Sequence, residues 1–186
     1  MGFLDKLKPQ PRWKHVDPAV RLEAVKDLDD PQELGLLAEL DPDVRVRRAA
    51  VGRISAPEIL GRIANADVDA DLRDRAADRL VALCCRSDRA ADTMEADLEI
   101  ALAAVRQLND PRRLSTVAKS DAPQAVGAEA LIRIHDERAL GSIARQAKRE
   151  ATAAAALQRL GDTSELHEVA LHAVAAEVAV SAFDRL

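Results

Sequence analysis

The residues best suited to chemistry in this chain are its arginines. There are 21 Arg against 6 Lys. A guanidinium grips carboxylate or phosphate with two parallel hydrogen bonds and also stacks on aromatic rings. Two sets stand out. Arg53, Arg79, Arg133, Arg159 and Arg185 each precede a large apolar residue by one position. That place suits a helix C-terminus, where a cation meets the negative end of the dipole and gains about 0.3–1 kcal/mol; Asp136 or Asp162 lies just across the turn. Arg62, Arg112, Arg113, Arg138 and Arg145 fall on the polar side of other segments and form the candidate partner-binding set. Glu33, Glu39, Glu58, Glu165 and Glu168 share nearby offsets, so a mixed solvated face is the alternative reading of the same row.

Other chemistry is thin. His167 and His172 are five positions apart, whereas two ligands on one helical face want four, and His15 and His135 stand alone. Cys84 and Cys85 are adjacent and the only cysteines. A bond between them is strained, so reduced thiols filling apolar space are expected, with no base nearby to activate them. The sequence contains no Gly-rich phosphate loop, no nucleophile elbow and no HExxH pattern. The carboxylates recur where helices start, which explains them as caps. The expectation is a protein that is not an enzyme, with no catalytic residue, cofactor or metal.

What positions the arginines is a repeat. Leu28, Ile54, Leu80, Leu108, Ile134, Leu160 and Leu186 are separated by steps of 26 residues, with one step of 28. Four positions before each of them stands an alanine: Ala24, Ala50, Ala76, Ala104, Ala130, Ala156 and Ala182. Apolar residues also recur three before (Val25, Val51, Val105, Leu131, Phe183) and eight before (Val20, Val46, Leu72, Val126, Val178). Those offsets share one helical face, which defines a first helix, A. The alanine column marks where a neighbouring helix comes close. Six and nine positions after the reference come Leu34 and Leu37, Leu60 and Ile63, Leu114 and Val117, Leu140 and Ile143, Leu166 and Val169. These define a second helix, B.

The turns between A and B read "DDP", "SAP", "NDP", "HDE" and "GDT". Asp30 and Asp110 are expected N-caps of B helices with Pro at the first helical position, and Asp17, Asp41 and Asp67 are expected N-caps of A helices. Gly35, Gly61 and Gly141 recur seven after the reference, where Ser115 matches in size and His167 departs. Glycine inside a helix costs about 1 kcal/mol relative to alanine, so the column predicts close backbone packing between helices. A narrow groove that accepts a partner's backbone is the alternative. One unit breaks the pattern: after Leu80 the A helix is expected to run on through "RLVALCC", and Arg86 and Arg89 replace the apolar residues of a B helix.

Each helix spans about ten residues, shorter than the ~12–15 at which an isolated helix becomes marginal in water, so units must stack to be stable. The unit "DPDVRVRRAAVGRISAPEILGRIANAD" resembles HEAT-like repeats and also the leucine-rich repeat variant, whose second helix is 3-10. The first 80 residues or so, from "PRWKHVDPAVRLEAVKDL" on, look like the opening of certain large bacterial proteins of unknown function. The resemblance implies an all-α fold, a right-handed α-α superhelix of about six and a half 26-residue helical-hairpin repeats, whose B helices line the concave side. The leucine-rich variant's iron–sulfur cysteine cluster is not reproduced by the pair here, and that cofactor is not expected.

Composition agrees with a helical interior: 48% of residues are hydrophobic but only 2% aromatic. Net charge is -5, which counts against a general nucleic-acid binder and leaves room for a local basic face. No apolar run approaches the ~20 residues that span a bilayer, and no signal sequence is recognisable at the start, so a cytoplasmic location is expected. Residues 1–16 read as a tail with Trp13 covering the first unit through Val20 and Val25, or else facing a partner. Residues 17–186 read as one array, irregular at about 80–98. Val178, Phe183 and Leu186 begin a seventh unit without its second helix, so either the natural chain continues past Leu186 or this stripe packs on another copy. The expected function is a protein-protein interaction scaffold. Nucleic-acid binding through the B-helix arginines is the alternative.

Overall fold

The computed structural model of the chain describes residues 10–85 and 94–186. Among them there are twelve α-helices, one 3-10 turn at Arg12–Lys14 and no strand. The A helices are α1 (Pro18–Val25), α3 (Val44–Arg53), α5 (Ala70–Cys84), α6 (Met94–Gln107), α8 (Gln124–Ile132), α10 (Glu150–Arg159) and α12 (Ala176–Phe183). The B helices are α2 (Pro31–Leu40), α4 (Pro57–Ala66), α7 (Pro111–Lys119), α9 (Glu137–Gln146) and α11 (Thr163–His172). The expected alternation therefore appears, and every B element is α rather than 3-10. The chain divides into two compact units, residues 1–76 and 77–186, and the boundary falls inside α5.

Helices pack on their neighbours in the repeat. In the first unit α1 lies on α3, and α2 on both α3 and α4. In the second, α6, α8, α10 and α12 pack in succession, while α7, α9 and α11 form a parallel row. The alanine column explains the close approach: Ala24 is 9% exposed and the other six are 0%. A larger side chain there would overpack the contact at a cost of about 1–3 kcal/mol. The apolar B columns are buried as well, from Leu34 and Leu37 to Leu166 and Val169. Toward the C-terminus the stripe is open: Phe183 is 71% and Leu186 47% exposed.

Two expected caps are displaced. Asp41 and Asp67 end α2 and α4 instead of starting the next helix. The N-cap of α3 is Asp43, and Asp69 accepts the first amides of α5. The earlier aspartate accepts the backbone N–H of the later one, 2.9 Å for Asp41 to Asp43 and 2.8 Å for Asp67 to Asp69. Asp17, Asp30 and Asp110 cap α1, α2 and α7 as the sequence predicts.

Asp41 is buried because it has a second task. Arg21 of α1 donates Nε and Nη2 to its two oxygens at 2.7 and 2.8 Å, and Nη1 to the carbonyls of His15 and Val16. This fork ties the entry of the chain to the end of α2. Trp13, placed by the sequence on Val20 and Val25, lines a shallow cleft with Leu36, Leu37 and Leu40 of α2.

Four of the five arginines of the first set, Arg53, Arg133, Arg159 and Arg185, prove to be clamps between successive A helices. Arg53 donates to the carbonyl of Val25 and to Asp29, and Arg133 to the carbonyl of Val105 and to Asn109. Arg159 reaches the carbonyls of Leu131 and Ile134, and Arg185 those of Leu157 and Leu160. The dipole argument holds with one change: each cation serves the C-terminus of the preceding A helix, 28 residues back. The carbonyls of Val25, Val105, Leu131 and Leu157 also accept the backbone N–H three residues on, so each takes a second donor from the following unit.

The irregular unit keeps its expected first half. α5 runs through Cys84, which is fully buried, and Leu83 beside it is 1% exposed. Burial pushes the Cys84 thiol up to about 12, so it stays protonated and inert. Cys85 is half-buried and meets the hydroxyl of Ser120 at 3.3 Å. Arg86 and Arg89 lie outside the described residues.

Candidate functional site: a basic groove between two B helices

The five candidate arginines separate into two groups. Arg62 of α4 pairs with Glu39 of α2 at 2.9 Å. Arg145 of α9 pairs with Glu165 of α11 at 2.9 Å, both side chains about four-fifths buried. Arg113 of α7 is held by Asp110 at 3.0 Å and Asp78 at 3.1 Å. These three join neighbouring elements, as the mixed-face reading has it. Arg112 and Arg138 do not. Both are exposed, and neither guanidinium makes an ion pair among the described residues.

They line one open groove of about 740 Å³ between α7 and α9. Both stand four positions after their reference residues, Leu108 and Ile134, in the first turn of their helices. Lys119 adds a third cation; its Nζ contacts the hydroxyl of Ser142 at 3.3 Å, with no carboxylate in reach. Thr116 and Ser115 complete the α7 wall, and His135 sits at the turn before α9. Arg133 also borders the groove, but its guanidinium is taken up by carbonyls of the preceding A helix. The lining holds one carboxylate, Asp136, whose Oδ2 accepts the N–H of Ala139 as N-cap of α9.

The glycine column explains why the groove is wider here than at the α2–α4 junction, where the pocket beside Pro31, Leu34, Arg53 and Ile54 is about 260 Å³. A Cβ on Gly35 would come 2.8 Å from Ile59 Cδ1, and one on Gly141 would come 2.1 Å from Glu165 Oε2. Position seven of one B helix thus faces position five of the next. Glycine is found where that facing residue is long and fills the space between the helices. Across α7 and α9 the facing residues are Ser115 and Ala139. Alanine cannot fill the gap, so a cavity remains. Position eleven tells the same story: Glu39 and Arg145 find opposite charges on the next helix, and Lys119 finds only Ser142. The arginines stand out by residue type and register, whereas Lys119, Ser142 and Ala139 do not. The signal lay in comparing facing positions of successive B helices, because single columns do not reveal it.

His15 Nδ1 accepts the N–H of Asp17 at 3.0 Å, and His172 lies 3.8 Å from Glu168. Among the described residues no three His, Cys, Asp or Glu side chains are grouped to hold a metal ion, and no helix is long and apolar enough to cross a membrane. Compared with known protein families, curated proteins and solved structures, the chain matches none.

Proposed function

We propose that this chain is a non-enzymatic cytoplasmic scaffold for protein-protein interaction, with each compact unit a stretch of HEAT-like, right-handed α-solenoid that presents its B helices to a partner. The observation that carries the reading is the division among the B-helix arginines. Arg62, Arg113 and Arg145 are used in pairs that hold elements together, while Arg112 and Arg138 stand unpaired at the mouth of a groove. Successive packing of A on A and B on B supports the repeat class, since that is how solenoid units bury their stripes.

The experiment compares two faces. Leu36→Glu, Arg62→Glu and the pair Arg112→Glu with Arg138→Glu alter the B face; Ala128→Glu alters the exposed side of α8. A stoichiometric complex captured by wild type and by Ala128→Glu, and weakened by B-face variants, is the expected result. Loss of capture on the A face alone overturns the reading. Retention of nucleic acid in place of protein, abolished by raising salt, would move the function to phosphate binding. A second surface has its own observation: the exposed Phe183 and Leu186 on and just beyond α12 support self-association through the last half-unit, with Val178 buried beneath them. Phe183→Ser is expected to lower any dimer fraction seen by light scattering; a mass unchanged from that of the monomer in wild type refutes it.

A further inference from the structure

We propose that the groove between α7 and α9 binds an acidic peptide segment in extended conformation, with two carboxylates three residues apart seated on Arg112 and Arg138. This rests on the B-face reading above and names its ligand. Three facts point to an anion: Arg112, Arg138 and Lys119 face one cavity, none has a carboxylate partner there, and the single lining carboxylate caps a helix. One fact favours a peptide over a nucleic acid: the cations are confined to one junction, because the next B–B junction is closed by Arg145 and Glu165. A phosphate backbone needs a track, and a short acidic segment needs only one groove.

The spacing follows from geometry. Arg112 and Arg138 share a register on helices packed side by side, which places them about 8–10 Å apart at their bases. A polyproline-type strand returns to the same side every third residue, after about 9 Å. Carboxylates three positions apart therefore meet both guanidinium groups, and a third can reach Lys119. Between them the peptide's small apolar residues lie on Pro111, Ala139 and the arginine stems.

The test uses the full chain and a fluorescein-labelled peptide of four Glu-Ala-Pro triplets, read by anisotropy at low salt. Binding should weaken about tenfold on replacing Glu by Gln, about tenfold for each of Arg112→Ala and Arg138→Ala, and several-fold when the same acids are spaced by four. The decisive variant is Ser115→Gly with Ala139→Glu, which copies the Gly141 and Glu165 arrangement of the next junction. It should keep the wild-type circular dichroism spectrum, place a glutamate against Lys119 and abolish peptide binding. Equal binding of the Gln peptide, or binding that survives this filled groove, overturns the proposal. So does an Arg112-dependent complex with oligothymidylate in the absence of peptide binding. Should the peptide fail while a protein partner is still lost in Leu36→Glu or Arg62→Glu, the scaffold reading stands without the groove.

Discussion

Replacing Arg21 by Met tests whether the fork between α1 and Asp41 holds the first unit together. Methionine keeps much of the length and removes the charge. The side chain of Asp41 is 2% exposed and that of Arg21 10%, so the carboxylate left behind has little access to water. It would keep one hydrogen bond, from the N–H of Asp43, and lose those from Arg21 Nε and Nη2. The carbonyls of His15 and Val16 lose their donor too. Breaking a buried pair by removing one partner costs about 3–5 kcal/mol. With a urea slope of about 2 kcal/mol per molar, the midpoint for residues 1–76 falls by about 2 M. The assay is urea unfolding followed by far-ultraviolet circular dichroism, with hydrogen exchange of the α1 and α3 amides to localise the loss. Asp41→Asn completes a double-mutant cycle, and the double variant should recover about 1–3 kcal/mol relative to additivity. A loss below about 1 kcal/mol, or strict additivity, would show the pair to be an exposed contact of little worth, and the argument from burial would be wrong.

Two further outcomes follow from local geometry. Hydrogen bonds from the Arg45 side chain and backbone N–H hold Asp43 at about 2, below the ordinary 3.8, so the folded state favours its ionised form. That stabilisation is present above pH ~4 and is lost as pH falls toward 2; Asp43→Asn should flatten the acid limb of stability in this window, and an unchanged limb contradicts it. Gly52 in α3 has nothing within 4 Å of a built Cβ, so Gly52→Ala should stabilise by about 0.5–1 kcal/mol in thermal unfolding. In Gly141→Ala the same propensity gain is offset by displacing Glu165 from Arg145; a gain equal to that at Gly52 would refute the glycine explanation.

The helices were legible because an amphipathic repeat must bury the same face in every unit. The alanine column and the Leu34-to-Val169 stripes therefore appear in the sequence as plainly as in the fold. What hid from the sequence was any choice between equivalent partners. In "DPD" and "DVD" either aspartate can cap, and the outcome depends on where the turn ends: Asp41 and Asp67 brace the turn while Asp43 and Asp69 cap the helix. For Arg53, Arg133, Arg159 and Arg185, spacing revealed a column but not that each reaches into the preceding unit. For the B-helix arginines, residue type alone could not separate Arg145, paired with Glu165, from Arg138, which makes no ion pair among the described residues. That distinction exists only between helices.

A repeat array makes departures from its own rule informative, because every junction is a control for the others. The α2–α4 and α9–α11 junctions each match a glycine with a long facing residue and each join opposite charges. The α7–α9 junction changes both features together. One residue accounts for both: at the next junction Glu165 fills the space beside Gly141 and also pairs with Arg145, and its counterpart here is Ala139. The cations are not unpaired for want of acids, since the chain holds 32 Asp and Glu against 27 Lys and Arg. Three cations facing one cavity repel one another, by a few tenths of a kcal/mol for neighbouring like charges on a helix surface. A single glutamate at position 139 would remove that cost. The arrangement becomes favourable only when an anion from outside supplies what the fold provides for itself at the next junction.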